Sequence, residues 1–144
     1  MSAFLLDTNV VSEFAKPERA RDERVLIWMA RQVIADLYLS AITLSELVRG
    51  VVRMPEGRRR RVLHRWVDEE LPYEFQGRIL PFEDATAVVW GELMGQGDRR
   101  GRRPPAIDAQ IAATAICHGL VVATRNIIDF RALNVAVVNP WDAA

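Results

Sequence analysis

The chain holds a single cysteine, Cys117. That excludes an intramolecular disulfide and a cysteine-built metal cluster, and it fits a reducing compartment. Lysine is as scarce: Lys16 is the sole one, and every other basic residue is arginine. Net charge is absent, with 19 basic residues against 19 acidic, so charge balance alone points to no partner. No apolar run is long enough to cross a membrane, and no signal peptide is visible. The expected setting is therefore cytoplasmic. The histidines, His64 and His118, have no serine or cysteine in a suggestive arrangement, which gives histidine-assisted nucleophilic catalysis no support. No Gly-x-Gly-x-x-Gly follows the first apolar run, and that removes the usual dinucleotide cradle.

What is present is a globular composition, 50% hydrophobic and 26% charged over 144 residues. That suits one domain, residues 1–144, with a substantial core. Phe4-Leu5-Leu6 runs directly into Asp7-Thr8-Asn9, after which Val10, Val11 and Phe14 recur at helical spacing. The register change predicts a strand ending at Asp7 and a helix following it. Further strands are expected at Leu37–Ser40, Ile79–Leu80, Leu120–Thr124 and Val135–Val138. Helices are expected over 22–35, from Thr43, over about 58–70, over 83–96 and from Pro104-Pro105 to His118, closed by Gly119. Residues 95–103, rich in Gly and Arg, are expected as a loop. Alternation of this kind predicts an α/β fold, a central parallel sheet of about five strands flanked by helices.

Polar groups stand where these strands end, and open α/β sheets bind ligands there. Asp7 closes the first strand, as a helix cap or as part of a site. Glu46 lies in Thr43-Leu44-Ser45-Glu46, which matches a capping box and so has a structural reading of its own. Gln110, Thr114 and His118 are expected to mark the solvent face of their helix, which turns Asp108 inward beside Ile111, Ala112 and Ala115. The helix dipole returns only about 0.3–1 kcal/mol there, too little to offset a lone buried charge. Thr124-Arg125-Asn126 follows the fourth strand, with Asp129 close behind. Asn126 or Asp129 could cap a short turn or reach a metal. Several carboxylates in one place repel unless they are protonated or bridged by a cation. An all-oxygen set selects hard ions such as Mg²⁺ or Mn²⁺, and such a site suits phosphodiester hydrolysis. Arginine clusters at 49–65 and 99–103 suit a polyanionic substrate, although a solvated helix face explains any one of them.

Leu6-Asp7-Thr8-Asn9, Ser45-Glu46, Asp108 with Ile111-Ala112-Ala113-Thr114-Ala115, and Thr124-Arg125-Asn126 with Asp129-Phe130 together resemble a PIN domain. More closely, they resemble the VapC/FitB-like toxins of type II toxin–antitoxin pairs, and Val138-Asn139-Pro140-Trp141 resembles the FitB-like subgroup. The resemblance implies a Mg²⁺- or Mn²⁺-dependent ribonuclease, neutralised by a small antitoxin that also binds DNA. It implies a metal-site role for Asp7, Glu46 and Asp108, with Asp129 as a fourth catalytic carboxylate. Thr8, Asn9, Thr124 and Asn126 take supporting positions. Many relatives carry an acidic residue where Asn126 stands, so either Asn126 or Asp129 completes the set.

A phosphoacceptor receiver domain is the rival enzyme-like class, but it needs an essential lysine, and Lys16 is in the wrong place. A catalytically inactive PIN-like protein-binding module is the non-enzymatic alternative. Trp28, Trp66 and Trp90 on separate helices exceed what one small core readily absorbs, which with the resemblance suggests a homodimer and a groove for an antitoxin segment. Any DNA contact would come through the antitoxin. An antitoxin arginine entering the acidic pocket would replace the metal's charge.

Overall fold

Residues 2–142 are described by a computed structural model of the chain. Strands β1 (Phe4–Leu6), β2 (Leu37–Ser40), β3 (Ile79–Leu80), β4 (Val121–Ala123) and β5 (Val137–Val138) pair in the order β3-β2-β1-β4-β5. Every pairing is parallel. The register sets Leu5 beside Tyr38 and Val122, and Leu6 beside Ala123. Because side chains alternate along a strand, each strand feeds two cores. Leu6, Leu37, Leu39 and Ala123 join one with Val10, Val25, Trp28 and Leu47. Leu5 and Val122 join the other with Ile111, Ala112 and Phe130.

The helices are α1 (Thr8–Glu13), α2 (Glu23–Ala30), α3 (Ala41–Val52), α4 (Arg58–Arg65), α5 (Leu71–Glu74), α6 (Asp84–Arg99), α7 (Ala106–His118) and α8 (Ile127–Arg131). The strands and most helix starts lie within a few residues of expectation. Helix α2 is shorter than expected and ends at Ala30, where Gln32 Nε2 donates to the Trp28 carbonyl at 3.0 Å. The basic helix continues through a π-helical turn at Trp66–Glu70 into α5. Pro72 has no N–H to give an α-helical ladder, and the change of register precedes it.

The expected loop at 95–103 is a correction. Helix α6 carries on to Arg99, so only the residues between it and α7 are loop. Gly97 lies inside the helix and is buried; a Cβ there would meet Pro104 Cδ at 2.4 Å and the Arg102 carbonyl oxygen at 2.7 Å. Glycine is present for close approach, not for a turn. The tryptophans also find places within the chain. Trp28 is buried in one core, Trp66 packs against that core and Trp90 against the other. Two cores absorb what one could not.

Sheet order reverses between β1 and β4, so the chain leaves their carboxyl ends in different directions. That opens a crevice at the strand ends. Helices α1 and α3 start there directly after β1 and β2, and the first turn of α7 arrives at the same edge.

Candidate active site

A cleft of about 490 Å³ occupies this edge, lined among others by Asp7, Thr8, Asn9, Glu46, Asp108 and Asn126. Asp7 is its floor and is buried. The Asp7 N–H completes the sheet by donating to the Ala123 carbonyl at 2.9 Å, which fixes the backbone from which the carboxylate projects. Asp7 Oδ1 accepts from the Thr8 N–H at 2.8 Å and Oδ2 from Thr124 Oγ1 at 2.7 Å. Asn9 Nδ2 reaches Asp7 Oδ2 at 3.4 Å and Thr124 Oγ1 at 3.3 Å, while Asn9 Oδ1 accepts from the Arg125 N–H at 3.3 Å. Asp7 both caps α1 and faces the cleft, so its role as a cap does not withdraw it from the cleft.

Glu46 arrives from α3, and its Oε1 accepts from the Thr8 hydroxyl. The capping-box reading of Thr43 and Glu46 does not hold. Helix α3 starts at Ala41, its cap is Ser40, whose Oγ accepts from the Ile42 N–H at 3.0 Å, and Thr43 is fully buried in the helix. Asp108 lies in the first turn of α7 and is half-buried. The expected solvent face of α7 is not there at Thr114, which is buried, its hydroxyl donating to the Gln110 carbonyl at 2.9 Å. Helix α7 packs against α6 and α3 as well as the sheet, so it is enclosed on most sides.

Asp129 does not line the cleft. It stands behind Asn126, whose Nδ2 donates to Asp108 Oδ2 at 3.1 Å and to Asp129 Oδ2 at 3.0 Å. The Asn126 N–H in turn donates to Thr124 Oγ1 at 2.9 Å. Asn126, through its side-chain and backbone amides, therefore ties two carboxylates to the hydroxyl that holds a third.

Electrostatics carry the mark of this crowding. Burial raises the pKa of Asp7 above the ordinary carboxylate range, against the Thr124 and Thr8 hydrogen bonds, and nearby Glu46 adds to the rise. Burial, then the charges of Asp7, Asp129 and Glu46, push Asp108 up to about 6. Among the described residues, none of Asp7, Glu46 or Asp108 forms an ion pair. These three carboxylates concentrate negative charge without an ion-pair partner, which a bound cation would relieve.

A hard divalent cation fits the donors, which are oxygens throughout. Among the described residues no three acidic, histidine or cysteine side chains close into a metal cage. Mg²⁺ does not need one, since it keeps several waters and binds through one or two carboxylates.

Five further residues line the cleft that the sequence did not single out for it: Ser12, Glu13, Lys16, Arg125 and Trp141. The Arg125 guanidinium lies 4.9 Å from the centroid of the Trp141 ring, a stacked arrangement that limits where it can point. Trp141 is held in turn because its backbone N–H donates to Asn139 Oδ1 at 2.9 Å. The Asn139-Pro140-Trp141 pattern was the available signal, but only the fold brings it to Arg125.

Residues 4–135 match the PIN domain family. The toxin FitB of Neisseria gonorrhoeae is 42% identical over 137 residues, spanning 95% of this chain and 97% of that protein. The VapC ribonuclease Y4jK of Sinorhizobium fredii is 41% identical over 140 residues, spanning 97% and 99%. A chain in the solved structure of FitAB bound to an IR36 DNA fragment superposes with a TM-score of 0.89 at 40% identity, covering 98% of this chain and 97% of that one. With the acidic cleft at the switch point of a five-stranded parallel sheet, these matches decide the family: the chain belongs to the PIN domain family and is similar to the FitB and VapC toxins.

Proposed function

We propose that this chain is the toxin of a type II toxin–antitoxin pair, a ribonuclease that works with Mg²⁺ or Mn²⁺. The observation that carries the reading is the arrival of Asp7, Glu46 and Asp108 in one cleft from separate elements with no cationic partner. The name of the Sinorhizobium relative, a ribonuclease, supports the same reaction class.

Asp7, Glu46 and Asp108 would hold the ion, directly or through its waters, and when bound it supplies Lewis-acid polarisation of a phosphodiester oxygen and a water of lowered pKa. The chain's own work is positioning. Thr8 and Thr124 fix both oxygens of Asp7, Thr8 also steadies Glu46, and Asn126 steadies Asp108. Such outer hydrogen bonds set the orientation of a ligand and its basicity. Asp129 acts through Asn126 rather than at the reacting phosphate. Arg125 presents a planar donor fork suited to a phosphate at the cleft mouth.

The partners that go with this reading are an RNA substrate, a cognate antitoxin and a second copy of the chain in a homodimer. The FitAB relative was solved bound to DNA, and for this chain the antitoxin would carry any DNA contact. Among the described residues no helix is long and apolar enough to cross a membrane; a cytoplasmic setting is part of the proposal.

Purified protein should cleave susceptible RNA with Mg²⁺ or Mn²⁺, stop in chelator, and lose cleavage in Asp7→Asn. Cleavage that persists in full after rigorous metal removal overturns the metal-dependent reading. Absence of cleavage with intact antitoxin binding would favour the inactive binding module.

A further inference from the structure

Helix α1 ends in the same cleft with a pair that the carboxylate chemistry does not use. Glu13 is only 3% exposed. Its Oε1 accepts from the Asp22 N–H at 2.8 Å and from Lys16 Nζ at 3.0 Å, and its Oε2 lies 2.9 Å from the same ammonium. A carboxylate buried so deeply is costly unless it is paired and hydrogen-bonded. Lys16 supplies the charge, yet its side chain stays 50% exposed. An ammonium has three N–H donors, so a donor remains after Glu13 is served. The only lysine of the chain is thus anchored at its charged end while lining the acidic cleft.

Charge decides what such an arrangement can bind. A nucleic-acid strand entering the cleft meets Asp7, Glu46 and Asp108, all repulsive to phosphate. Among the described residues lining it, Lys16 and Arg125 are the cations. Each is held by its own device, Lys16 by Glu13 and Arg125 by the face of Trp141. A preorganised point charge loses less entropy on meeting a phosphate than a free lysine does. Resting on the ribonuclease reading, we propose that Lys16, oriented by buried Glu13, forms a subsite for an RNA phosphate next to the scissile one. Glu13 is its positioning residue, and Arg125 serves a separate phosphate.

The test uses the full chain and a fluorescent single-stranded RNA oligonucleotide. Binding is titrated in chelator at several salt concentrations, and cleavage is followed with Mn²⁺. Lys16→Gln should weaken binding and raise KM about tenfold, as expected for a charge-assisted hydrogen bond. The slope of log affinity against log salt should fall by about 0.7, one single-strand phosphate contact. The kcat should stay within about twofold of the parent, since the contact is uniform across ground and transition states. Lys16→Arg should restore both KM and slope. Glu13→Gln should reproduce the KM change with Lys16 intact, which a merely structural carboxylate would not do. Unchanged KM and salt slope in Lys16→Gln overturn the proposal, as does a fall in kcat with KM unchanged. RNA binding that depends on Lys16 without cleavage under any divalent ion overturns the ribonuclease reading and keeps the subsite. Cleavage by the parent with no dependence on Lys16 does the reverse.

Discussion

Thr124 Oγ1 donates to Asp7 Oδ2 at 2.7 Å, joining residues 117 positions apart. The sheet makes the contact possible: β1 and β4 are neighbours, and Leu6 is in register with Ala123, one residue before each partner. The hydrogen bond favours the charged form of Asp7, while burial opposes it and wins, since the pKa of Asp7 is raised. The fold therefore bears a carboxylate that it does not itself neutralise. That separates Asp7 from a member of a finished structural ion pair.

Removing one charge from the cleft should relieve that burden. Asp7→Asn keeps the shape and, as asparagine caps helices about as well as aspartate, keeps the start of α1. We expect Asp7→Asn and Asp108→Asn to abolish cleavage and to leave the metal-free protein as stable as the parent or slightly more so. Metal should stabilise the parent by roughly 2.7 kcal/mol at a hundred times its dissociation constant, and the variants much less. Thermal melts with and without Mn²⁺ measure both. Equal metal-induced shifts in parent and variants would remove these residues from the metal site.

The pH dependence has a definite sign. Asp108 titrates at about 6 in the folded chain against 3.8 for an ordinary aspartate. Between those values the folded chain holds a proton that the unfolded chain has released. Stability present below the lower value is therefore lost as pH rises toward the upper. Without metal, the protein should melt at a higher temperature at pH 5 than at pH 7.5, and Asp108→Asn should flatten the difference. Solvent reaching this half-exposed group limits the size of the effect. A difference that survives the substitution intact would place its origin elsewhere.

The strand ends and their polar residues were legible in the sequence because an apolar run stopping at Asp7 or Thr124 has few other meanings. The acids on helices were harder. Ser40 and Thr43 are both able to cap, and only the absence of a loop between β2 and α3 selects Ser40. Thr114 read as solvated because it is polar, but a hydroxyl bonded to its own helix can be buried at small cost. Glu13 and Lys16 stand at i and i+3, a spacing that ordinary surface ion pairs also use. Only Glu13 is deep, where the Asp22 N–H folds back onto it, a contact without a local signature.

Gly97 gives a test of the fold independent of the chemistry. A methyl group there would overlap the Pro104 ring and the Arg102 carbonyl, and the carbonyl is backbone. Gly97→Ala should cost about 1–3 kcal/mol, the range for overpacking a tight contact, despite the better helix propensity of alanine. Gly95→Ala, with nothing near its Cβ, should be neutral or stabilising. Urea unfolding of the two variants compares them directly. Equal stabilities would mean that the α6–loop contact is loose in solution.

Asn126 supplies the sharpest prediction because its substitution reverses the sign expected at Asp7. Its amide nitrogen serves Asp108 at 3.1 Å and Asp129 at 3.0 Å at once, a neutral clamp between two like charges. Asn126→Asp removes both donors and adds a carboxylate among those already there. Hydrogen bonds to charged groups are worth about 1.5–3 kcal/mol each, reduced here by partial exposure, so the metal-free variant should lose roughly 2 kcal/mol. Asn126→Ala loses the donors without adding charge, and its stability should fall between those of the parent and the Asn126→Asp variant. Divalent metal changes the order: an added carboxylate strengthens a hard-ion site, so Asn126→Asp should show a larger Mn²⁺-induced rise in Tm than the parent. Melts of the parent and both variants in chelator and in Mn²⁺ give the comparison. Metal-free stability equal to the parent's would show that the clamp holds no energy. An unchanged metal shift would show that position 126 looks past the ion and that Asp129, reached only through it, does too.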